Sequence, residues 1–270
     1  LIFSFCRSLG PKKALILDPC FSEYETALRA SRCEVAHFSL KKEMDFQLKR
    51  DFLPFLEGFD GEALMLCNPN NPTGQIISRE MLEEILTVCE RRKMFLFIDE
   101  CFLDLTDGGD CLTMKPHLQT HQNLFLLKAF TKSYGMAGLR LGYCLCGNAS
   151  LLQAMGQTVQ PWNVSIPAQK AGVAALKQTA FLEKAKKTIR EQREALTGGL
   201  RELGLRAIDS HTNYILFYSD RELREPLLEK DIQIRSCANY PGLEAGWYRI
   251  AVKLPRENET LLAALKEILR

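Results

Sequence analysis

Short, unbroken apolar runs constrain this chain more than any other feature. They are Lys13–Leu17, Ala63–Cys67, Met94–Ile98 and Asn123–Leu127. None alternates apolar with polar residues, so none suits a sheet with one wet face; a strand that is apolar throughout is buried on both sides. Each run is too short for a core helix and is closed by turn-forming residues. Between the runs the spacing becomes helical. Ser22 to Ser31 reads as one helix, with Ser22 as its N-cap. Ser78 is placed to cap another running to about Arg92, with Met81, Leu82, Ile85, Leu86 and Cys89 along one face. Val35–Phe38 is strand-like, and Phe46–Phe59 is amphipathic but interrupted by Pro54. Strands alternating with helices predict an α/β fold, a mostly parallel sheet covered on both faces.

Polar residues gather where these strands end. Asp18-Pro19-Cys20-Phe21 breaks the first run, Asn68-Pro69-Asn70-Asn71-Pro72-Thr73-Gly74 follows the second, and Asp99-Glu100-Cys101-Phe102 closes the third. Behind the fourth comes Phe130 to Tyr143, a Gly-rich stretch carrying Lys132 and, eight positions later, Arg140. A lysine at a strand's end can attack a carbonyl as a free amine and form a Schiff base, and arginine is a permanent cation for phosphate. Pyridoxal 5'-phosphate needs both, one for its aldehyde and one for its phosphate.

After Tyr143 the pattern changes. Helical spacing extends from about Pro167 to Leu203, broken at Gly198-Gly199. Strand-like segments follow at Asn213–Phe217, Ile232–Ile234 and Trp247–Val252, then a terminal helix from about Glu259 to Arg270. This predicts two units, a large domain over residues 1–175 and a smaller C-terminal α+β domain over 176–270.

With 270 residues, 46% of them apolar, the chain can bury a substantial core. A net charge of +2 provides no basic field for nucleic acid or membrane surfaces, and no apolar run approaches a membrane span. The opening Leu1–Cys6 is apolar without a basic flank and reads as part of a helix, not a leader. The ten cysteines are scattered singly through apolar runs, apart from Cys144 and Cys146 on a strand pattern. That distribution fits free thiols in a reducing cytoplasm. His117 and His121 lie in a loop context beside Pro116, and no metal site is expected.

The order of elements, with the Asn-Pro-Thr-Gly turn, the strand ending in Asp99 and the Lys132 loop, resembles the large domain of fold-type I pyridoxal-phosphate enzymes, the aminotransferase class I and II group. The resemblance covers essentially the whole chain. It implies that Lys132 binds the cofactor aldehyde, that Asp99 pairs with the pyridine nitrogen and that Asn71 faces the ring's phenolic oxygen. Phe21 would stack on the ring, and Thr131 and Arg140 would hold the phosphate. Lys128-Ala129-Phe130 is similar to the lysine motif of histidinol-phosphate aminotransferases, but the family's eight-residue interval to the arginine selects Lys132. Ala129 stands where relatives usually carry a hydroxyl for the phosphate, leaving more to Thr131, Arg140 and backbone N–H groups.

Arg249, in Trp247–Val252, resembles the family's substrate-carboxylate arginine, whose planar fork suits a bidentate pair. Arg235, at the end of the Ile232–Ile234 segment, and the stretch Gln160–Ser165 resemble the branch that decarboxylates L-threonine O-3-phosphate in cobalamin biosynthesis, where the first arginine lies near the substrate phosphate. Phe102 points the same way, because related aminotransferases carry Tyr there. The resemblance therefore implies a lyase acting on a small phosphorylated amino acid, and a homodimer. Alternatives are an aminotransferase of the histidinol-phosphate type and a non-catalytic relative serving as a dimer partner. It further implies that the family's phosphate-binding turn, its N-terminal arm and a tyrosine given to the partner subunit lie upstream of Leu1.

Overall fold

A computed structural model describes residues 1–270. In chain order the elements are α1 (Ile2–Leu9), β1 (Lys13–Asp18), α2 (Glu23–Ala30), β2 (Glu34–Ser39), α3 (Phe52–Gly58), β3 (Ala63–Cys67), α4 (Arg79–Arg91) and β4 (Phe95–Asp99). They continue as α5 (Gly109–Leu112), β5 (Leu124–Ala129), α6 (Phe130–Ser133), β6 (Gly142–Cys146), α7 (Ala149–Thr158), α8 (Ile166–Ala175) and α9 (Thr179–Glu202). The last are β7 (Arg206–Ala207), β8 (Tyr214–Tyr218), α10 (Arg224–Leu228), β9 (Arg235–Ser236), β10 (Trp247–Ala251) and α11 (Pro255–Ile268).

The first six strands form one sheet in the order β2-β1-β3-β4-β5-β6, parallel except for β6. The apolar runs are buried on both faces, as their composition requires. Successive residues of a strand point to opposite sides, so each run serves two cores. Leu15, Leu64, Leu66, Leu96, Ile98 and Leu126 pack against Phe52 and Leu56 of α3 and the apolar stripe of α4. Ile16, Met65, Phe97 and Phe125 pack instead against Phe5 of α1, Tyr24 and Leu28 of α2, and Leu151 of α7. The predicted stripe of α4 is buried as drawn, and the Ser78 hydroxyl accepts from Met81 N–H at 3.2 Å. No helix is long and apolar enough to cross a membrane.

Parallel strands bring their C-terminal ends to one edge of the sheet. Asp18, Cys67, Asp99 and Ala129 therefore finish close together, with Cys67 in register with Asp99 and Asp99 with Leu127. The polar segments after these strands share that edge. The second sheet, β7-β8-β10-β9, is antiparallel. It buries Ile215, Phe217, Tyr248 and Ile250 under α9 and α11, while Ile208, Leu216 and Trp247 join the core on the α4 side of the large sheet.

Several local expectations change. The helical run after residue 165 is two helices, α8 and α9, separated at Leu176–Gln178. Gly198 and Gly199 do not break α9; a Cβ on Gly199 would lie 2.5 Å from Leu262 Cδ1, so this glycine lets α9 approach α11 closely. The strand expected at Ile232–Ile234 is displaced to Arg235–Ser236 by its pairing with β10. Helix α11 starts four residues early because Pro255 fits the first turn, where its missing N–H costs nothing. Ser22 holds the N-cap position of α2 without a side-chain capping bond. Pro54 lies in the first turn of α3, which begins only at Phe52.

Candidate active site

A cleft of about 1720 Å³ opens where the C-terminal edge of the large sheet meets the antiparallel sheet. All nine residues assigned to the site line it, whereas Lys128 does not. Phe21, Asn71, Asp99 and Phe102 come from turns after parallel strands, Thr131, Lys132 and Arg140 from the segment after β5, and Arg235 and Arg249 from the second sheet.

Asn71 is set by a turn whose own polar groups are satisfied. Gly74 N–H donates to Asn70 O at 2.7 Å, and Asn70 Nδ2 donates to Thr73 Oγ1 at 2.9 Å and to Pro19 O at 3.0 Å. Gly74 has φ 72°, and a Cβ there would sit 2.3 Å from Ser210 Oγ, so both conformation and space call for glycine. Asn71 Oδ1 accepts from Arg249 Nη1. A guanidinium only donates, so this bond fixes the amide orientation and leaves Nδ2 as a free donor.

Asp99 is buried at the end of β4. Its Oδ1 accepts from Cys101 N–H at 2.9 Å and its Oδ2 from the Tyr24 hydroxyl at 2.7 Å. Burial raises its pKa, against the pull of the Cys101 and Tyr24 hydrogen bonds and of more distant Lys128. The carboxylate thus has neutral donors and no cation in contact.

The two candidate lysines have opposite surroundings. Lys128, inside β5, is buried; its Nζ lies 2.6 Å from Asp104 Oδ1 and 3.4 Å from Glu100 Oε2. Burial pulls its pKa down, but the two carboxylates outweigh it and hold the amine protonated above the ordinary lysine range. Lys132 sits in the single turn of α6, not in open loop, and its Nζ lies 5.4 Å from the centre of the Phe102 ring. Desolvation, then the fields of Arg249 and Arg140, hold its amine below the ordinary lysine value. The one-turn helix is held by Phe130 N–H donating to Leu141 O at 3.1 Å and by Ser133 Oγ donating to Asp104 Oδ2 at 3.3 Å. Arg140 adopts φ 53° and donates to Ala137 O at 3.1 Å.

The second sheet supplies the opposite wall. Arg235 and Arg249 are direct partners across β9 and β10, hence on the same face. Arg235 donates to Asn239 Oδ1 at 2.9 Å, and its guanidinium lies 5.9 Å from the Tyr240 ring. The guanidinium of Arg249 lies 5.3 Å from the ring of buried Tyr214, which also meets Phe102 edge-on at 5.0 Å. Neither arginine has a carboxylate within ion-pair distance in this chain.

Sequence reasoning missed Tyr24 and Tyr214. Tyr24 lies in the first turn of α2, three residues after Phe21, and its N–H donates to Phe21 O at 3.2 Å, which brings the two side chains together. Tyr214 opens a strand whose period would have shown it on the cleft face. These residues fit pyridoxal 5'-phosphate: a buried carboxylate without a cation suits a protonated ring nitrogen, a lysine with a lowered pKa suits an aldehyde, and Phe21 and Phe102 provide apolar walls.

Known proteins agree with this fit. The model of the family "Aminotransferase class I and II" matches residues 1–265. The threonine-phosphate decarboxylase of Salmonella typhimurium is 36% identical over 99% of this chain and 74% of its own length. The histidinol-phosphate aminotransferase of Oleidesulfovibrio alaskensis is 31% identical over 97% of this chain and 68% of its own. The crystal structure of the Clostridium acetobutylicum histidinol-phosphate aminotransferase superposes with a TM-score of 0.91 at 28% identity, covering 99% of this chain and 80% of that one. The chain belongs to the aminotransferase class I and II family, and it is a fold-type I enzyme that depends on pyridoxal 5'-phosphate.

Proposed function

We propose that this enzyme removes carbon dioxide from L-threonine O-3-phosphate, releasing aminopropanol phosphate for corrinoid assembly. The observation that carries this reading is the register of Arg235 against Arg249. Like charges directly opposed across a strand pair repel, and a ligand with two anionic groups relieves that cost. Threonine phosphate has a carboxylate and a phosphate a few bonds apart. The name of the 36%-identical relative supports the same chemistry.

When bound, pyridoxal 5'-phosphate supplies an aldehyde for an amine and a conjugated ring that accepts the electron pair released at the substrate's α-carbon. Lys132 would hold the cofactor aldehyde through its amine, whose lowered pKa favours the neutral, nucleophilic form. Asp99 would pair with the ring nitrogen and hold a proton there, which favours electron withdrawal. Asn71 Nδ2 would donate to the phenolic oxygen, and Phe102, lacking a hydroxyl, would add no second donor there. Phe21 would cover one ring face, and Thr131 and Arg140 would hold the cofactor phosphate. Arg249 would grip the substrate carboxylate and so fix the orientation of the groups on Cα. Lys132 Nζ, or a water, would carry the proton that replaces the departing carbon dioxide on Cα. Arg235 holds the substrate phosphate.

Residues 176–270 act in this reading as a small domain closing over the substrate. The working form is a homodimer, supported by exposed Trp162, Ile166, Val173 and Phe181. Its site is cytoplasmic, which ten unpaired thiols support. The competing reading, transamination of histidinol phosphate, rests on the 31% identity and the 0.91 superposition. Incubation with L-threonine O-3-phosphate and cofactor decides between them: carbon dioxide release is expected, and keto-acid formation without it overturns the decarboxylase assignment.

A further inference from the structure

Tyr24 has no counterpart among the roles set out above, yet it touches the residue on which the cofactor's electronics depend. Its ring is fully buried, meeting Phe21 at 5.6 Å and Phe97 at 6.1 Å, both edge-on. Its hydroxyl donates to Asp99 Oδ2 at 2.7 Å. The other carboxylate oxygen is held by Cys101 N–H, so Asp99 is gripped at both oxygens by neutral donors. Each oxygen keeps a further lone pair, and Asp99 lines the cleft.

We propose that Tyr24 is a positioning residue that keeps Asp99 ionised and aimed at the ring nitrogen, so that the shared proton stays on the nitrogen. The inference rests on the reading of Asp99 given above. A buried carboxylate otherwise gains by taking up a proton, which would turn the pair into a neutral acid beside a neutral pyridine. An arginine or lysine partner would also hold Asp99 ionised, but its positive field would repel the protonated ring. A phenol stabilises the carboxylate without that penalty. The hydroxyl also stays a donor at working pH, since burial and neighbouring Asp99 raise the tyrosine's pKa well above its usual value. The groups facing Asp99 from the surrounding elements are Tyr24 of α2, Cys67 of β3, Cys101 after β4 and, at longer range, Lys128 of β5. Of these only Tyr24 is a side-chain oxygen donor.

Phe21 and Tyr24 stand three residues apart, so one short segment presents both the stacking face and the tuning hydroxyl. Their spacing is fixed by Tyr24 N–H donating to Phe21 O at 3.2 Å.

The test reads the ring nitrogen directly. Wild type, Tyr24→Phe and Asp99→Asn are loaded with cofactor labelled with nitrogen-15 in the ring, and the nitrogen signal is followed with pH alongside equilibrium dialysis of the cofactor. We expect Tyr24→Phe to move the nitrogen signal toward neutral pyridine at neutral pH and to weaken cofactor binding about tenfold, the size of one lost hydrogen bond to a charged group. In the Asp99→Asn background the same substitution should add no further shift. A wild-type signal in Tyr24→Phe, with Asp99→Asn shifted, overturns the role of Tyr24 alone; no shift in either variant overturns the assignment of Asp99 with it. Incorporating a fluorinated, more acidic tyrosine at position 24 repeats the test without a packing change. It should keep the nitrogen protonated to higher pH than in wild type, and an unchanged pH profile refutes the inference. None of these readouts depends on the identity of the substrate.

Discussion

Replacing Arg235 with alanine separates the two anionic ends of the proposed substrate. Arg235 contributes one guanidinium, donated in this structure to Asn239 Oδ1 at 2.9 Å and free of any carboxylate partner. A charge-assisted hydrogen bond to a phosphate oxygen is worth about 1.5–3 kcal/mol, or roughly 10- to 150-fold in affinity at about 1.4 kcal/mol per decade. Arg235 is exposed and solvent screens it, so the lower end applies: about tenfold weaker threonine phosphate. Threonine lacks the phosphate and should bind within about twofold of wild type, by the same arithmetic. Removing a cation directly opposite Arg249 also relieves repulsion, so the unliganded variant should keep its stability within about 0.5 kcal/mol. The assay is titration of the cofactor's visible spectrum with each ligand, in wild type, Arg235→Ala and Arg249→Ala. Arg249→Ala should weaken both ligands, because both carry the carboxylate. Equal losses for the two ligands in Arg235→Ala would refute the phosphate assignment and much of the case for decarboxylation.

Other perturbations test the remaining parts of the site. Borohydride reduction of the cofactor-loaded enzyme followed by peptide mapping should label Lys132, and Lys132→Ala should abolish the label; a label on Lys128 would contradict the ion pairs that hold that amine. Asp99 has a folded-state pKa raised by burial, so its contribution to the stability of cofactor-free protein is fully present below the ordinary carboxylate range and is lost as pH rises through the raised value. Asp99→Asn should therefore gain stability relative to wild type at neutral pH and not at pH ~4, measured by urea denaturation without cofactor. A gain of the same size at both pH values would count against that account. Gly199→Ala should destabilise by about 1–3 kcal/mol through overpacking against Leu262. Gly198→Ala, with open space around its Cβ, should stabilise by up to about 1 kcal/mol. Thermal melts that rank the two variants the other way would refute the packing role of Gly199.

Much of this protein is legible along the chain because the signals are local. Uninterrupted apolar runs between helical spacings specify a two-faced parallel sheet, and parallel strands must end at one edge, so Asn71, Asp99 and Lys132 had to be neighbours before any coordinate was known. The family's eight-residue interval before Arg140, carried by the resemblance, pointed to Lys132 over Lys128. Other features depend on residues far apart in sequence. Lys128 is tied down by Asp104 and Glu100, Asp99 by Tyr24 from 75 residues away, and Asn71 by Arg249 from 178 residues away. The strand expected at Ile232–Ile234 moved to Arg235–Ser236, and that displacement set Arg235 opposite Arg249. Periodicity and turn chemistry are determined by neighbours a few residues away and survive in the sequence. Which charges meet is decided by strand order and register, and these follow only when the whole chain buries its apolar surface at once.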